Sequence, residues 1–346
     1  MDFSNVLLKW YLQNKRDLPW RNTQNPYPIW LSEIILQQTR VAQGLPYFLK
    51  FMDAFPTVFD LAKAHEEDVL KLWQGLGYYS RARNLHKTAQ QVVTDFDGVF
   101  PNNYESLLQL KGVGTYTAAA IASFSYNEDV PVVDGNVLRV LSRYFDIETD
   151  IASAGAKKEF TALANELLLA GKANIFNQAI MEFGALQCVP KNPSCNNCVF
   201  NGSCLALQKK KVEQLPVNLK KLKVTKRYFN YLVFSDEEHQ TVIQKRTAKG
   251  IWHNLYEFPL IETQNPETDA TVLALIQNQK QISNTITEIV AFNSEPILHK
   301  LSHQHLSIKF WQVSVKGTII NGMECETAKT FPFPIVIFNF IEKNWV

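Results

Sequence analysis

The stretch "LQLKGVGTYTAAAIASF", residues 109–125, decides the reading of the first half of this 346-residue chain. Gly112 and Gly114 flank Val113, and an alanine-rich apolar run follows. Glycines at a helix entrance let the backbone approach a ligand closely, because no Cβ intervenes. The free N–H groups of the helix that follows point to the same place and suit an anion. A hairpin offering the backbone N–H groups of Gly112, Val113 and Gly114 to one phosphate would hold a nucleic-acid backbone without reading its sequence. A plain tight turn between packed helices has the same pattern, so the glycines alone leave both readings open.

Around that hairpin the chain reads as helical. Helix-period stretches recur at 30–42, 57–73, 79–95, 104–110, 115–125, 135–145, 155–170 and 174–187, divided by Pro, Gly and Asn signals. The N-terminal "MDFSNVLLKWYLQNKRDLPW" puts Phe3, Val6, Leu7, Trp10 and Tyr11 on one helical stripe. It lacks the basic-then-apolar order of a signal peptide, and no apolar run approaches a membrane span. The expectation is a cytoplasmic protein in a bacterium, or a nuclear or mitochondrial one in a eukaryote, with no membrane partner. The segment "QKKKVEQLPVNLKKLKVTKR", 208–227, holds eight basic residues and one acid and reads as a tether. Beyond it "RYFNYLVF", "TVIQKR", "SIKFWQVSV" and "FPIVIF" read as strands, with "ATVLALIQNQK" as a helix between them. We therefore expect an all-α region at 1–208, a basic linker at 209–224 and an α+β domain at 225–346.

Net charge is only +2, and it is unevenly spread: residues 1–208 carry 18 Lys and Arg against 20 Asp and Glu, the remainder 17 against 13. A nucleic-acid partner would have to be held by local sites rather than by a bulk field. Four of the five cysteines, Cys188, Cys195, Cys198 and Cys204, fall in the spacing C-x6-C-x2-C-x5-C. Such crowding suits a metal site in a reducing compartment, either zinc or an iron–sulfur cluster. The single C-x2-C knuckle with longer arms favours iron–sulfur, since zinc sites usually carry two knuckles.

Two carboxyls stand out. Asp134, in "PVVDGNVLRVLSR", is placed to cap a helix, where it would be kept ionised; an ordinary N-cap has the same look. Glu33, in "PIWLSEIILQQT", has only apolar neighbours, so it lies either at a helix start or buried with a raised pKa, as a general acid needs. Carboxyls in unlike environments can divide the roles of acid and charge stabiliser. In "GLGYYSRARN", 75–84, Tyr78 and Tyr79 follow a glycine turn beside Arg81 and Arg83, a combination that suits stacking on bases and contacting phosphate.

Taken in order, "LPWR" (18–21), "WLSEIILQQTRVA" (30–42), "GLGYYSRARNLHK" (75–87), "KGVGTYTAAAI" (111–121), "VVDGNV" (132–137), "FNQAIMEFGALQC" (176–188) and the four-cysteine loop resemble the helix-hairpin-helix DNA glycosylases, and within them the adenine DNA glycosylase (MutY) family. "LSHQHL" (301–306) carries the resemblance more weakly into a MutT-like, nudix-like second domain. The resemblance implies a six-helix barrel module at about 22–132 and a cluster module from 1–21 plus 133–208, with a [4Fe–4S] cluster on the four cysteines. It implies excision of adenine opposite 8-oxoguanine or guanine in double-stranded DNA during base excision repair, by a monomeric enzyme.

In the family, the glutamate matching Glu33 protonates adenine N7 and the aspartate matching Asp134 stabilises the oxocarbenium-like sugar, with the residues matching Tyr116 and Asn136 in support. Arg16, Trp20 and Gln178 match the lining of the adenine pocket. Gln38 and Tyr78 match residues that wedge into the duplex, and Thr39 and Leu76 belong with them in the substrate-binding set. Ser302, with His303 beside it, matches the contact to 8-oxoguanine. Two departures are visible: Lys111 stands where the hairpin commonly has Pro, and Leu301 where Phe commonly precedes Ser-His. An endonuclease III-like lyase would carry its lysine at the position of Tyr116, and a non-catalytic iron–sulfur DNA-binding or redox module would need neither Glu33 nor Asp134.

Overall fold

A computed structural model describes residues 2–220, 223–277 and 285–345. Backbone contacts divide the chain into two compact units, Met1–Lys63 with Asn84–Lys220, and Ala64–Arg83 with Lys221–Val346. No helix among the described residues is long and apolar enough to cross a membrane.

The first unit is built of helices. One core joins the buried stripe of Phe3–Asn14 to helices Gly135–Phe145, Ala156–Leu167 and Ala173–Leu186, with Leu7, Leu141, Phe160 and Phe176 fully enclosed. Helix Pro26–Leu36 differs in kind: Ile29, Trp30, Leu31, Ile34 and Ile35 are all buried, so it is apolar around its whole circumference. The expected helix at 30–42 ends early, at Leu36. Gln38 takes a left-handed conformation (φ +55°) and a second helix begins at Val41. No Gly or Pro marks that break, and the apolar Val41 and Ala42 continue the period across it. The second helix, Val41–Ala54, was concealed by Gly44 and Pro46 inside it. The stretch 57–73 likewise divides, at an extended His65, into Val58–Lys63 and Glu66–Leu72.

In the hairpin, Gly112 has φ +78°, and a Cβ there would stand 2.8 Å from Asn84 Cβ. Gly114 is the N-cap of helix Thr115–Tyr126, with ordinary φ −90° and open space where a Cβ would go. The two glycines thus serve different needs: the first is demanded by the backbone, the second leaves the outer face bare.

The second unit holds a mixed five-stranded sheet. Thr225–Ser235 and Gln304–Lys316 form its central parallel pair, in register from Thr225↔Gln304 to Ser235↔Ser314. Leu260–Thr263 pairs antiparallel on one side, and Thr285–Ala291 and Ile297–Lys300 on the other. Gln304–Lys316 is buried on both faces. Trp311, Val313 and Val315 meet Val272 and Ile276 of helix Asp269–Gln277, and on the opposite face Phe310 stacks on Phe340 at 3.9 Å. Residues 278–280 of the expected helix, Lys221 and Leu222 of the linker, and Met1 and Val346 at the two ends lie outside the described residues.

Two strand expectations are corrected. "TVIQKR" forms only the short pairings Gln240–Thr241 and Gln244–Lys245. "FPIVIF" enters helix Ile335–Asn344, with Pro334 at its N-cap and Val336, Ile337, Phe340 and Ile341 buried. Proline favours helix starts, and a short apolar run does not distinguish a strand from a buried helix.

Gly112→Ala is expected to lower the unfolding free energy by about 1–3 kcal/mol, because alanine is strained at that φ and crowded by Asn84. Gly114→Ala should cost less, about 0.5–1 kcal/mol, because its φ is unstrained and the space open, so that only the weaker capping by alanine is felt. Urea titration of both variants checks the contrast.

Candidate active site

In the first unit a cleft of about 1230 Å³ is lined by Arg16, Trp20, Glu33, Gln38, Thr39, Gly112, Gly114, Tyr116, Asp134, Asn136 and Gln178, with other residues. The hairpin, the two carboxyls and the expected base-pocket residues therefore share one site. At its base the Tyr116 hydroxyl donates a 2.6 Å hydrogen bond to Glu33 Oε2. Burial raises the Glu33 carboxyl to about 7; the Tyr116 hydrogen bond and the more distant Arg21 pull it down, and the charge of Asp134 pushes it further up. Burial, reinforced by both carboxylates, also lifts the Tyr116 phenol well above its ordinary value, so it remains a donor.

Asp134 caps helix Gly135–Phe145. Its Oδ1 accepts the Val137 N–H at 2.8 Å and its Oδ2 accepts the Asn136 amide at 2.7 Å. Burial raises its pKa, and these two donors oppose the rise by binding the ionised form. Asn136 is held in turn by Arg139, whose Nη2 donates to Asn136 Oδ1 at 2.9 Å and to the Gly184 carbonyl at 2.7 Å. Helix Ala173–Leu186 passes so close that a Cβ on Gly184 would lie 2.6 Å from Asn136 Cβ.

Other expected residues lie elsewhere. Val113 is buried and its N–H donates to the Leu110 carbonyl at 3.1 Å, which removes it from the donors free for a phosphate. Leu76, Tyr78, Ser302 and His303 belong to the second unit. Leu76 is buried there, whereas Tyr78 is exposed, has φ +47°, and shares a hydrogen bond with the exposed Ser302 hydroxyl. Arg81 donates to the carbonyls of Leu76 and Gly77 and lies over the rings of Trp73 and Tyr78, which braces this turn. His303 is exposed, and its carbonyl accepts the Thr225 N–H at 3.0 Å.

Sequence reasoning missed Arg21 and Glu182, which also line the cleft. Glu182 is 1% exposed and accepts from Arg16 Nε and Nη2 (2.9 and 2.6 Å) and from Arg21 Nη1 and Nη2 (2.9 and 2.8 Å). Burial would push its carboxyl up, but these bonds hold it at about 2. The signal was present: Glu182 is the lone acid of an apolar helix, as Glu33 is, and stands one turn from Gln178.

Cys188, Cys195, Cys198 and Cys204 are free of disulfides and line a second cavity, walled by Val140, Phe183, Phe200 and Leu207. Among the described residues no three His, Cys, Asp or Glu side chains converge as a set for a single metal ion. The four thiols line one apolar cavity, a donor set of the kind that holds iron–sulfur clusters. Arg143 Nη1 points to Cys188 Sγ at 3.5 Å and the Phe200 N–H to Cys198 Sγ at 3.4 Å, donors suited to thiolate sulfur. Burial, reinforced by the neighbouring thiols, pushes Cys198 up to about 11.

Residues 31–166 match the HhH-GPD superfamily base excision DNA repair protein family, and residues 230–343 match the NUDIX domain. A thermostable thymine-DNA glycosylase superposes with a TM-score of 0.56 at 31% identity, covering 60% of this chain and 95% of that one. An endonuclease III–DNA complex, at 20% identity and a TM-score of 0.52, shares the fold over 60% of this chain and 94% of its own. The class is thus a helix-hairpin-helix DNA glycosylase joined to a NUDIX-type α+β domain. The adenine DNA glycosylase of Buchnera aphidicola subsp. Schizaphis graminum is 36% identical over 307 residues, 88% of this chain and 86% of that protein. The human adenine DNA glycosylase is 44% identical over 222 residues, 62% of this chain and 41% of its own length. The chain belongs to the adenine DNA glycosylase family, whose members hydrolyse the N-glycosyl bond of adenine in DNA within base excision repair.

Glu33 generates a stability prediction with a definite sign. Its folded pKa of about 7 lies above the ordinary 4.5, so its contribution is full below 4.5 and is lost as pH rises through 7. Glu33→Gln is expected to gain on the parent between pH 4 and pH 8 by on the order of 3 kcal/mol. Thermal or urea unfolding across that range checks it; a difference independent of pH would mean that Glu33 titrates as it does in the unfolded chain.

Proposed function

We propose that this cleft excises adenine mispaired with 8-oxoguanine or guanine after the base has left the duplex stack. The observation that carries the reading is the pairing of Glu33, protonated near neutral pH, with Asp134, whose charge is held by Val137 and Asn136. Glu33 supplies a proton to adenine N7, so the base departs neutral as the glycosidic electrons return to it. Asp134 stabilises the cationic sugar until water adds to it. Arg16, Trp20 and Gln178 hold the extruded base, and the cost of unstacking is offset by side chains that enter the gap. Gln38 and Tyr78 suit that task, being exposed and fixed in left-handed conformations.

The hairpin takes a DNA phosphate on the N–H groups of Gly112, Gly114 and the first turn of Thr115–Tyr126, which have no intrahelical acceptors. Ser302 and His303 meet the 8-oxoguanine; their exposure and the bond from Ser302 to Tyr78 support this. A [4Fe–4S] cluster on Cys188, Cys195, Cys198 and Cys204 cross-links the loop between them, a reading supported by their shared apolar cavity. The protein acts as a monomer.

The reading favours hydrolysis without strand cleavage, because β-elimination needs an amine to attack the sugar. Among the described residues no lysine lines the cleft, and the position two after Gly114 is the phenol Tyr116.

Duplexes with adenine opposite 8-oxoguanine, guanine, cytosine or thymine, scored for abasic sites, test the substrate. We expect turnover on the first two, no borohydride-trapped adduct, and a cleavage rate that falls as pH rises above about 7 and Glu33 loses its proton. Glu33→Gln and Asp134→Asn should each bind the mispair yet lose about 100-fold or more in single-turnover cleavage. Ser302→Ala should narrow the preference for 8-oxoguanine over guanine. Full activity in either carboxyl variant would remove the role assigned to it.

A further inference from the structure

The wall of the cleft formed by helix Ala173–Leu186 presents Gln178 and Glu182 one turn apart. Glu182 is fully engaged by Arg16 and Arg21. Gln178 is engaged on one side only. Its Oε1 accepts a 3.0 Å hydrogen bond from the Tyr11 hydroxyl, and its Nε2 has no protein partner among the described residues. A planar amide whose oxygen is taken in this way offers N–H donors to the cleft.

Tyr11 is well placed to hold that orientation. It comes from helix Phe3–Asn14, which packs against Ala173–Leu186, and it is 3% exposed. The Arg21 guanidinium lies over its ring at 5.8 Å. Among the described residues its hydroxyl proton has no acceptor other than Gln178, so the bond runs from tyrosine to amide oxygen. Burial raises the phenol's pKa, so the donor persists at working pH.

We propose that Tyr11 is a positioning residue for base selection, locking Gln178 so that the cleft presents an N–H donor to the bound base. The inference rests on the reading that Gln178 lines the adenine pocket. A glutamine free to turn would serve donor and acceptor alike. A locked one favours a base with an unprotonated ring nitrogen at that point, as adenine has at N1 and N3. It disfavours a base presenting an N–H, as guanine does at N1, because two donors then face each other without an acceptor.

The test is single-turnover cleavage of adenine, 1-deazaadenine and 3-deazaadenine opposite 8-oxoguanine, in which C–H replaces one ring nitrogen at a time. Ratios between enzymes cancel the intrinsic reactivity of each base. The parent enzyme is expected to cleave one analogue about tenfold more slowly than adenine, the effect of one lost hydrogen bond. Tyr11→Phe should shrink that gap to within about threefold and leave the other analogue's ratio unchanged, a selectivity that a loss of folding alone would not produce. Gln178→Glu keeps an oxygen for Tyr11 but removes the N–H, and should close the same gap with Tyr11 in place. A gap that persists in Tyr11→Phe or in Gln178→Glu overturns the proposal. If neither analogue is slow with the parent enzyme, Gln178 does not bond these nitrogens, and the pocket assignment falls together with the proposal.

Discussion

The hydrogen bond from Tyr116 to the buried Glu33 carboxyl is the contact on which the first unit is organised. Glu33 lies out of water because helix Pro26–Leu36 is apolar on every side and must be enclosed by others. Enclosure alone would leave an acid with no partner, at a cost that Tyr116 reduces. Tyr116 in turn belongs to the first turn of the hairpin helix, two residues beyond Gly114. The hairpin turn and the buried acid are therefore joined by two residues of backbone and one hydrogen bond.

The second carboxyl is tied down from the opposite direction. Asp134 begins helix Gly135–Phe145, and one turn apart on that helix Arg139 and Arg143 reach into the cysteine loop. Arg139 Nε donates to the Cys188 carbonyl at 2.7 Å, while Arg143 donates to the carbonyls of Val189 and Pro190 at 2.8 and 2.9 Å. Both arginines are buried, so these bonds satisfy charges that would otherwise be costly to enclose. One short helix thus carries the carboxylate at its N-terminus and the loop's anchors along its side. Gly184 permits this arrangement, since any side chain there would displace Asn136 from Asp134.

Sequence carried the fold class, and several of the residues that share the cleft, further than it carried the ends of the helices. Glu33 was legible as an acid in an apolar run, whereas Asp134 has the look of an ordinary N-cap, and it and Tyr116 stood out through the family resemblance. Helix ends were less legible, because the turn at Gln38 is imposed by packing rather than by a breaking residue. The helix Ile335–Asn344 read as a strand because burial on several sides erases the period that separates the two. Arg21 and Glu182 escaped notice for a different reason. Glu182 carried the same mark as Glu33, a lone acid on an apolar helix, but Arg21 is ordinary beside its neighbours, and the approach of Pro19–Arg21 to Ala173–Leu186 is what makes them a buried ion cluster.

That cluster bears on how the proposed chemistry stays hydrolytic. Among the described residues the cleft is lined by four arginines, at 16, 21, 40 and 139, and by no lysine. Arginine supplies positive charge and directed donors but is never deprotonated, so it does not attack a sugar carbon. Arg16 and Arg21 are moreover committed to Glu182, whose low pKa keeps that ion cluster intact through the range in which Glu33 changes charge. Two glutamates on apolar helices of the same unit are thereby driven in opposite directions. One has a single neutral donor and holds its proton to about pH 7, while the other has two guanidinium groups and holds its charge to about pH 2. The difference lies in the partners that the fold brings to each carboxyl, since both are buried.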